Sequence, residues 1–122
     1  MLPDRLLVFS PHMDDAVLSA GGALATRPGS VVVTVLGGMP ADESLLTEWD
    51  RKCGFTSAGQ AMRVRRLEDA RALDSLAAAP VHLDHLDGQY GPIDIGRVAA
   101  EIADITERYP HHAPVGPLGL GH

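Results

Sequence analysis

Apolar and polar positions fall in blocks along this chain, and the period changes from block to block. Residues 5–9 (RLLVF) form a short apolar run between Pro3 and Ser10-Pro11, which predicts a buried strand. From Asp15 to Thr26, the small and apolar residues Val17, Leu18, Gly21 and Ala25 predict a helix ended near Pro28-Gly29. Gly21 and Gly22 are expected to let that helix pack closely on a sheet. Residues 30–38 (SVVVTVLGG) are β-branched almost throughout and close on two glycines, the clearest strand pattern in the chain. Residues 39–57 show no strong period and hold Pro40, Gly54 and several acids. They read as a long connection of the kind that carries function or motion.

The next block is the most regular. Across residues 58–78, Met62, Leu67, Ala70, Leu73 and Leu76 fall near helical spacing. Arg63, Arg65 and Arg66 lie between them, where Glu68 and Asp69 are their expected partners. Residues 80–86 (PVHLDHL) predict a weaker strand with a turn at Asp87-Gly88, and residues 95–109 an amphipathic helix stopped by Pro110. Residues 113–122 (APVGPLGLGH) read as a strand or its exit, then a glycine-rich loop. Strand and helix thus alternate about four times, which predicts a mostly parallel sheet with right-handed crossovers. Ligands of such sheets bind beyond the carboxyl ends of the strands. SPHMDD, LGGMP, LDGQYG and GLGH all fall at those ends.

Of these, SPHMDD (residues 10–15) carries the most chemistry. His12 and Asp15 stand three apart at a strand-to-helix turn, where both can face one ion. Asp14 between them can take a proton from a metal-bound water and return it to a leaving amine. The same letters also suit a plain helix start, because acidic residues in a first turn are favoured by the macrodipole by about 0.3–1 kcal/mol each. On spacing alone the two readings stand side by side.

Composition narrows the field around that motif. The chain's 122 residues are enough for one domain with a core. A net charge of −6 without a basic stripe argues against nucleic acid, and five aromatic residues are too few for a base-stacking platform. No apolar run approaches the ~20 residues that would span a bilayer, and MLPDRLLVF lacks the pattern of a secretory leader. Cys53 is the lone cysteine, which excludes an internal disulfide and suits the cytoplasm. It has no histidine near it in sequence, so a buried or idle thiol is expected rather than a nucleophile. His111 and His112 are expected as a solvated surface pair. The acid at the first helix start, without Gly-x-Gly-x-x-Gly, speaks against a dinucleotide.

SPHMDDAVLSAGG resembles the first motif of the LmbE/PIG-L family of zinc-dependent deacetylases, usually written Pro-His-x-Asp-Asp. LGG, Arg65 to Glu68 as Arg-x-x-Glu, and LDGQY match further family features in order, so the resemblance spans essentially the whole chain. It implies a Rossmann-like three-layer α/β sandwich with a mostly parallel sheet. It also implies removal of an acyl group, usually acetyl, from the nitrogen of a small-molecule amino sugar or glycoconjugate. Zinc, or another divalent metal such as Fe2+, would be held by His12 and Asp15, with Asp14 as general base. Arg65 would touch the substrate and Asp87 would lie in its pocket. The oligomeric state is left open, a homo-oligomer included.

Two departures accompany the match. Many members carry Glu where this chain has Ala16. The family's third ligand comes from a later His-x-x-His motif, often His-x-Asp-His, and only His122 stands where that motif should begin. His122 is then either that motif's first histidine, an oxyanion stabiliser, or the residue before it. The third ligand is expected past residue 122, with residues 1–122 a single domain incomplete at its C-terminus. HLDH (82–85) has the letters of the missing motif, but in a strand positions three apart point to opposite faces. Two rival readings are a non-catalytic sugar- or small-molecule-binding domain with an incomplete metal site, and an interaction fragment whose sheet edges need covering.

Overall fold

The computed structural model describes residues 5–13 and 15–116. Its elements run β1 (Leu6–Ser10), α1 (Asp15–Ala25), β2 (Val31–Thr34), α2 (Glu48–Lys52), α3 (Ala58–Ser75), β3 (Ala79–His82), α4 (Ile95–Arg108) and β4 (Ala113–Val115). The four strands form one sheet in the order β3-β2-β1-β4, and every pairing is parallel.

The apolar run of β1 makes it a central strand, because only a strand covered on both faces is apolar at every position. All five of its residues are buried. Leu6 and Val8 enter a core with Ala16 and Leu24 of α1, Val32 of β2 and Leu73 of α3. Leu7 and Phe9 point the other way, into a second core with Val31, Val33 and Ile105 of α4. The period of two sorts the side chains between these cores. The result is three layers, with α1 and α3 on one face of the sheet and α4 on the other. Fully burying one such side chain contributes about 1.5–3 kcal/mol. Among the described residues no helix is long and apolar enough to cross a membrane.

Chain direction sets where a ligand would sit. From β1 the chain steps to β2 and β3 on one side, then returns over the opposite face so that β4 pairs with the other edge of β1. At the carboxyl end of β1 the connections part, which is where open parallel sheets form their binding crevice.

Several local expectations change. The β2 ladder ends at Thr34, but Val35 N–H still donates to the Ser10 carbonyl (2.8 Å) and Leu36 N–H to that of Pro11 (2.9 Å). Gly38 is required by close approach, since a Cβ there would stand 2.3 Å from the Asp84 carbonyl oxygen. Gly21 and Gly22 are not: among the described residues, nothing lies within 4 Å of a Cβ built at either. Their packing role is therefore withdrawn. The aperiodic stretch 39–57 contains α2, and Cys53 beside it is exposed rather than buried. His112 is not simply solvated, because its Nε2 lies 3.1 Å from the Gly29 carbonyl and its ring meets Tyr109 edge-on.

Candidate functional site

His12 stands on the turn between β1 and α1. Ser10, the last residue of β1, donates its hydroxyl to the His12 carbonyl (2.7 Å), which folds the chain back on itself. Asp15 opens α1 and its Oδ2 accepts the His12 backbone N–H at 3.0 Å, so one carboxylate both caps the turn and faces the ring. His12 Nδ1 lies 3.5 Å from that oxygen. On the other side of the ring, Nε2 lies 3.1 Å from Asp87 Oδ1. A carboxylate only accepts, so in the neutral tautomer Nε2–H donates to Asp87 and Nδ1 turns its lone pair toward Asp15.

Asp87 is fixed by its neighbours. Gln89 Nε2 donates to its second oxygen at 2.9 Å, and the Gln89 carbonyl accepts the Thr47 hydroxyl at 2.6 Å. Burial alone would raise the Asp87 pKa. The hydrogen bonds from Gln89, His12 and the Gly88 backbone outweigh it and hold the group below the usual carboxylate value. Asp87 is thus an anion at neutral pH.

Thr47 also caps α2, accepting the Asp50 N–H at 3.0 Å, and Asp50 points inward with 0% of its side chain exposed. Its carboxylate accepts from Arg65 Nη2 at 2.8 Å and from the Tyr90 hydroxyl. Arg65 Nη1 reaches the same hydroxyl at 3.3 Å, and its guanidinium carbon lies 5.1 Å from the centre of the Phe55 ring, a cation–π distance. Burial, then the Asp50 carboxylate, pushes the Tyr90 phenol well up, so it stays a donor. For Arg65, burial acts to lower the pKa, but Asp50 and Tyr90 raise it on balance.

His12, Asp15, Arg65, Asp87 and Gln89 border one cavity of about 350 Å³, together with Met13, Leu36, Trp49 and Met62. The structure therefore brings four of the six residues named from sequence to one place. The other two, Asp14 and His122, lie outside the described residues. Arg65 does not pair with Glu68 or Asp69. It reaches Asp50, while Arg63 reaches Glu43 and Arg66 donates to the Gly37 carbonyl. Asp50, Gln89 and Tyr90 are the polar groups that sequence reasoning missed. Thr47 and Asp50 carry a signal, since a Thr three residues ahead of an acid is an N-cap pattern.

The HLDH segment is separate from this cavity. His82 Nε2 lies 2.7 Å from Asp69 on α3, and His85 Nε2 lies 3.0 Å from Glu101 on α4. β3 ends at His82, so His85 lies past the strand, and the two histidines reach helices on opposite faces of the sheet.

The donor chemistry of the turn suits a metal as far as it goes. Two ligands of a tetrahedral zinc, each about 2.0–2.2 Å from the ion, stand roughly 3.3–3.6 Å apart. His12 Nδ1 and Asp15 Oδ2 meet that spacing at 3.5 Å, one lone pair facing one anionic oxygen. Among the described residues no third His, Cys, Asp or Glu joins them to form a group that could hold a metal.

The profile of the PIG-L family, GlcNAc-PI de-N-acetylase, matches residues 7–115. The chain belongs to this family. Its fold agrees with that of solved deacetylases. It is 27% identical to the deacetylase of the teicoplanin biosynthesis pathway, solved in complex with teicoplanin, with a TM-score of 0.82 over 96% of this chain and 59% of that one. A zinc-inhibited form of a teicoplanin deacetylase is 28% identical, with a TM-score of 0.82 over 96% of this chain and 57% of that one. The deacetylase of the A40926 pseudoaglycone is 34% identical, with a TM-score of 0.71 over 88% of this chain and 47% of that one. The chain thus spans about half to three fifths of the length of these relatives. No curated protein matches it.

Proposed function

We propose that this chain carries the metal grip and part of the substrate pocket of an N-deacetylase that acts on an N-acyl amino sugar or glycoconjugate. The observation that supports it best is the His12–Asp15 pair at the carboxyl end of β1, opening into a cavity shared with Arg65 and Asp87. His12 and Asp15 would hold the ion, with zinc the first choice and Fe2+ the second. A bound divalent ion supplies Lewis acidity, polarising the acyl carbonyl and making water a better nucleophile at neutral pH.

The chain's own residues do the rest. Asp87 donates no proton; it holds the His12 ring by Nε2 and keeps the Nδ1 lone pair on the Asp15 side. Asp14 takes one proton from the attacking water and delivers it to the departing nitrogen. Water adds to the carbonyl carbon, the C–N bond breaks, and a carboxylic acid and a free amine leave. Arg65, immobilised by Asp50 and Tyr90, offers a fixed cation to substrate oxygens. His122 is assigned to steadying the oxyanion. The two cores share one sheet, which supports reading residues 1–122 as part of a single α/β domain. An exposed, unpaired Cys53 suits the reducing cytoplasm.

The test is metal content together with deacetylation of N-acetylglucosamine compounds, in the longest natural chain and in Asp14→Asn. The expected result is one bound divalent ion per chain and a rate loss of about 10²–10⁴-fold in the variant, the size of general-base catalysis. A second reading, a sugar-binding domain without catalysis, draws on the lack of a third donor among the described residues. Protein without metal, and a rate unchanged by Asp14→Asn, would establish that reading instead.

A further inference from the structure

The geometry points to an apolar subsite at the mouth of the cavity, built on Trp49, that receives an apolar substituent of the substrate. This inference rests on the deacetylase reading and adds to it a class of substrate.

Trp49 lines the cavity and yet is 60% exposed. An indole offers some 150–250 Å² of apolar area, so leaving most of it in water forgoes a large burial term. Its exposure does not come from a loose segment. The helix α2 is held by its Thr47 cap and by Asp50, whose carboxylate is sealed beneath Arg65 and Tyr90. Neighbouring residues on a helix are about 100° apart, so pinning Asp50 inward turns Trp49 out to the rim. The backbone that carries the indole is therefore already fixed, which lowers the ordering cost that a ligand would meet.

The cavity continues the apolar surface inward from the indole. Inside, Met13, Leu36 and Met62 line the cavity with Trp49, while the carboxylates and His12 share it with them. The cavity is thus two-faced. A bare amino sugar, with hydroxyls all round, would satisfy the polar groups and leave the indole wet. A substrate with an apolar group on its aglycone or its acyl chain covers both. A phosphate finds less here, because Arg65, the one lysine or arginine lining the cavity among the described residues, already has its charge matched by Asp50.

The experiment uses the full-length protein and its Trp49→Ala and Trp49→Phe variants. Values of kcat/KM are measured for the methyl and phenyl glycosides of N-acetylglucosamine, and for the methyl glycoside of N-octanoylglucosamine. The expected result is that the phenyl or the octanoyl compound exceeds the methyl N-acetyl compound by roughly 10- to 100-fold, the size of a few apolar contacts. Trp49→Ala brings that ratio toward one and Trp49→Phe keeps most of it. Gain on the phenyl glycoside assigns the indole to the aglycone, and gain on the octanoyl amide assigns it to the acyl chain. A ratio near one in the parent, or one that survives Trp49→Ala, overturns the subsite while leaving the deacetylase reading intact. Binding of the same compounds, followed by calorimetry in parent and Trp49→Ala, decides the matter without turnover. If nothing is hydrolysed, the deacetylase reading falls, and an affinity ratio lost in Trp49→Ala still establishes the subsite while an unchanged ratio removes it.

Discussion

His12 and His82 both stand at the carboxyl end of a parallel strand, and both offer Nε2 to an aspartate, at 3.1 Å to Asp87 and 2.7 Å to Asp69. Their settings differ. The His12 side chain is 51% exposed, and its second nitrogen lies 3.5 Å from another carboxylate in the lining of the cavity. His82 is 18% exposed, its partner Asp69 only 2%, and the pair ties the edge strand β3 to α3. One arrangement leaves a lone pair for an incoming ligand, whereas the other spends its polar groups on holding a helix to a sheet. A histidine–carboxylate pair therefore becomes a candidate site through access and convergence, not through residue type. His85 with Glu101 repeats the structural version on the opposite face.

The widest separation between the two kinds of pair comes from His12→Ala. With His12 as a proposed ligand, bound metal and kcat/KM should fall by at least about 100-fold, beyond the 10–100-fold typical of residues that merely orient a ligand. Compared metal-free, parent and variant should differ in stability by less than about 0.5 kcal/mol, as for exposed positions without a structural role. Metal analysis, and thermal melts taken with and without a chelator, check both halves. A large drop in melting temperature with metal still bound would put His12 in the same class as His82.

Asp87→Asn is the next step down. Asparagine keeps the shape but can turn its amide nitrogen toward His12 Nε2, which removes control of the tautomer. Metal affinity should weaken by about 10–100-fold with the fold retained. A competition assay with a chelator measures this directly, and unchanged affinity would mean that the His12–Asp87 contact does not orient a ligand.

Asp69→Ala acts on the other member of the comparison. It strips a buried partner from His82 and should cost about 1–3 kcal/mol of stability, the penalty of leaving one side of a buried hydrogen bond unmade. Denaturant melts read the loss, and kcat/KM should stay within a few-fold of the parent. Loss of activity at full stability would show instead that α3 carries Asp69 for the site.

The same contrast explains what could be read from the sequence. The unbroken apolar run of β1 announces itself because both faces are covered, and α4 carries helical periodicity over 14 residues. The period read for α3 holds only in part, because Leu67 is exposed and Asp69 is buried. The site turn was legible because His12 and Asp15 meet through local geometry, three residues apart. Asp50 was not, since its partners Arg65 and Tyr90 lie 15 and 40 residues away and come from different elements. A five-residue helix such as α2 is too short to show a period, so its stretch looked like plain loop. The partners of Arg63, Arg65 and Arg66 were misassigned for a related reason. Helical spacing offered Glu68 and Asp69, but the 39–57 segment folds over α3 and supplies Glu43 and Asp50 instead. Local chemistry is visible in one dimension, and contacts between distant elements are not.

The smallest expected effect belongs to the third pair. His85 is buried, but Glu101 is about one-third exposed and also lies 3.8 Å from Arg97. Water therefore screens this carboxylate on one side, and an exposed ion pair contributes only about 0–1 kcal/mol. Glu101→Gln keeps an amide oxygen to accept from His85 Nε2 and removes only the charge. Its stability should fall by less than about 1 kcal/mol, less than Asp69→Ala, although both changes touch a histidine at the same end of the sheet. Paired melts of the two variants measure the difference. Equal losses would show that the charge of the carboxylate, rather than its burial, governs how these histidines hold the helices to the sheet.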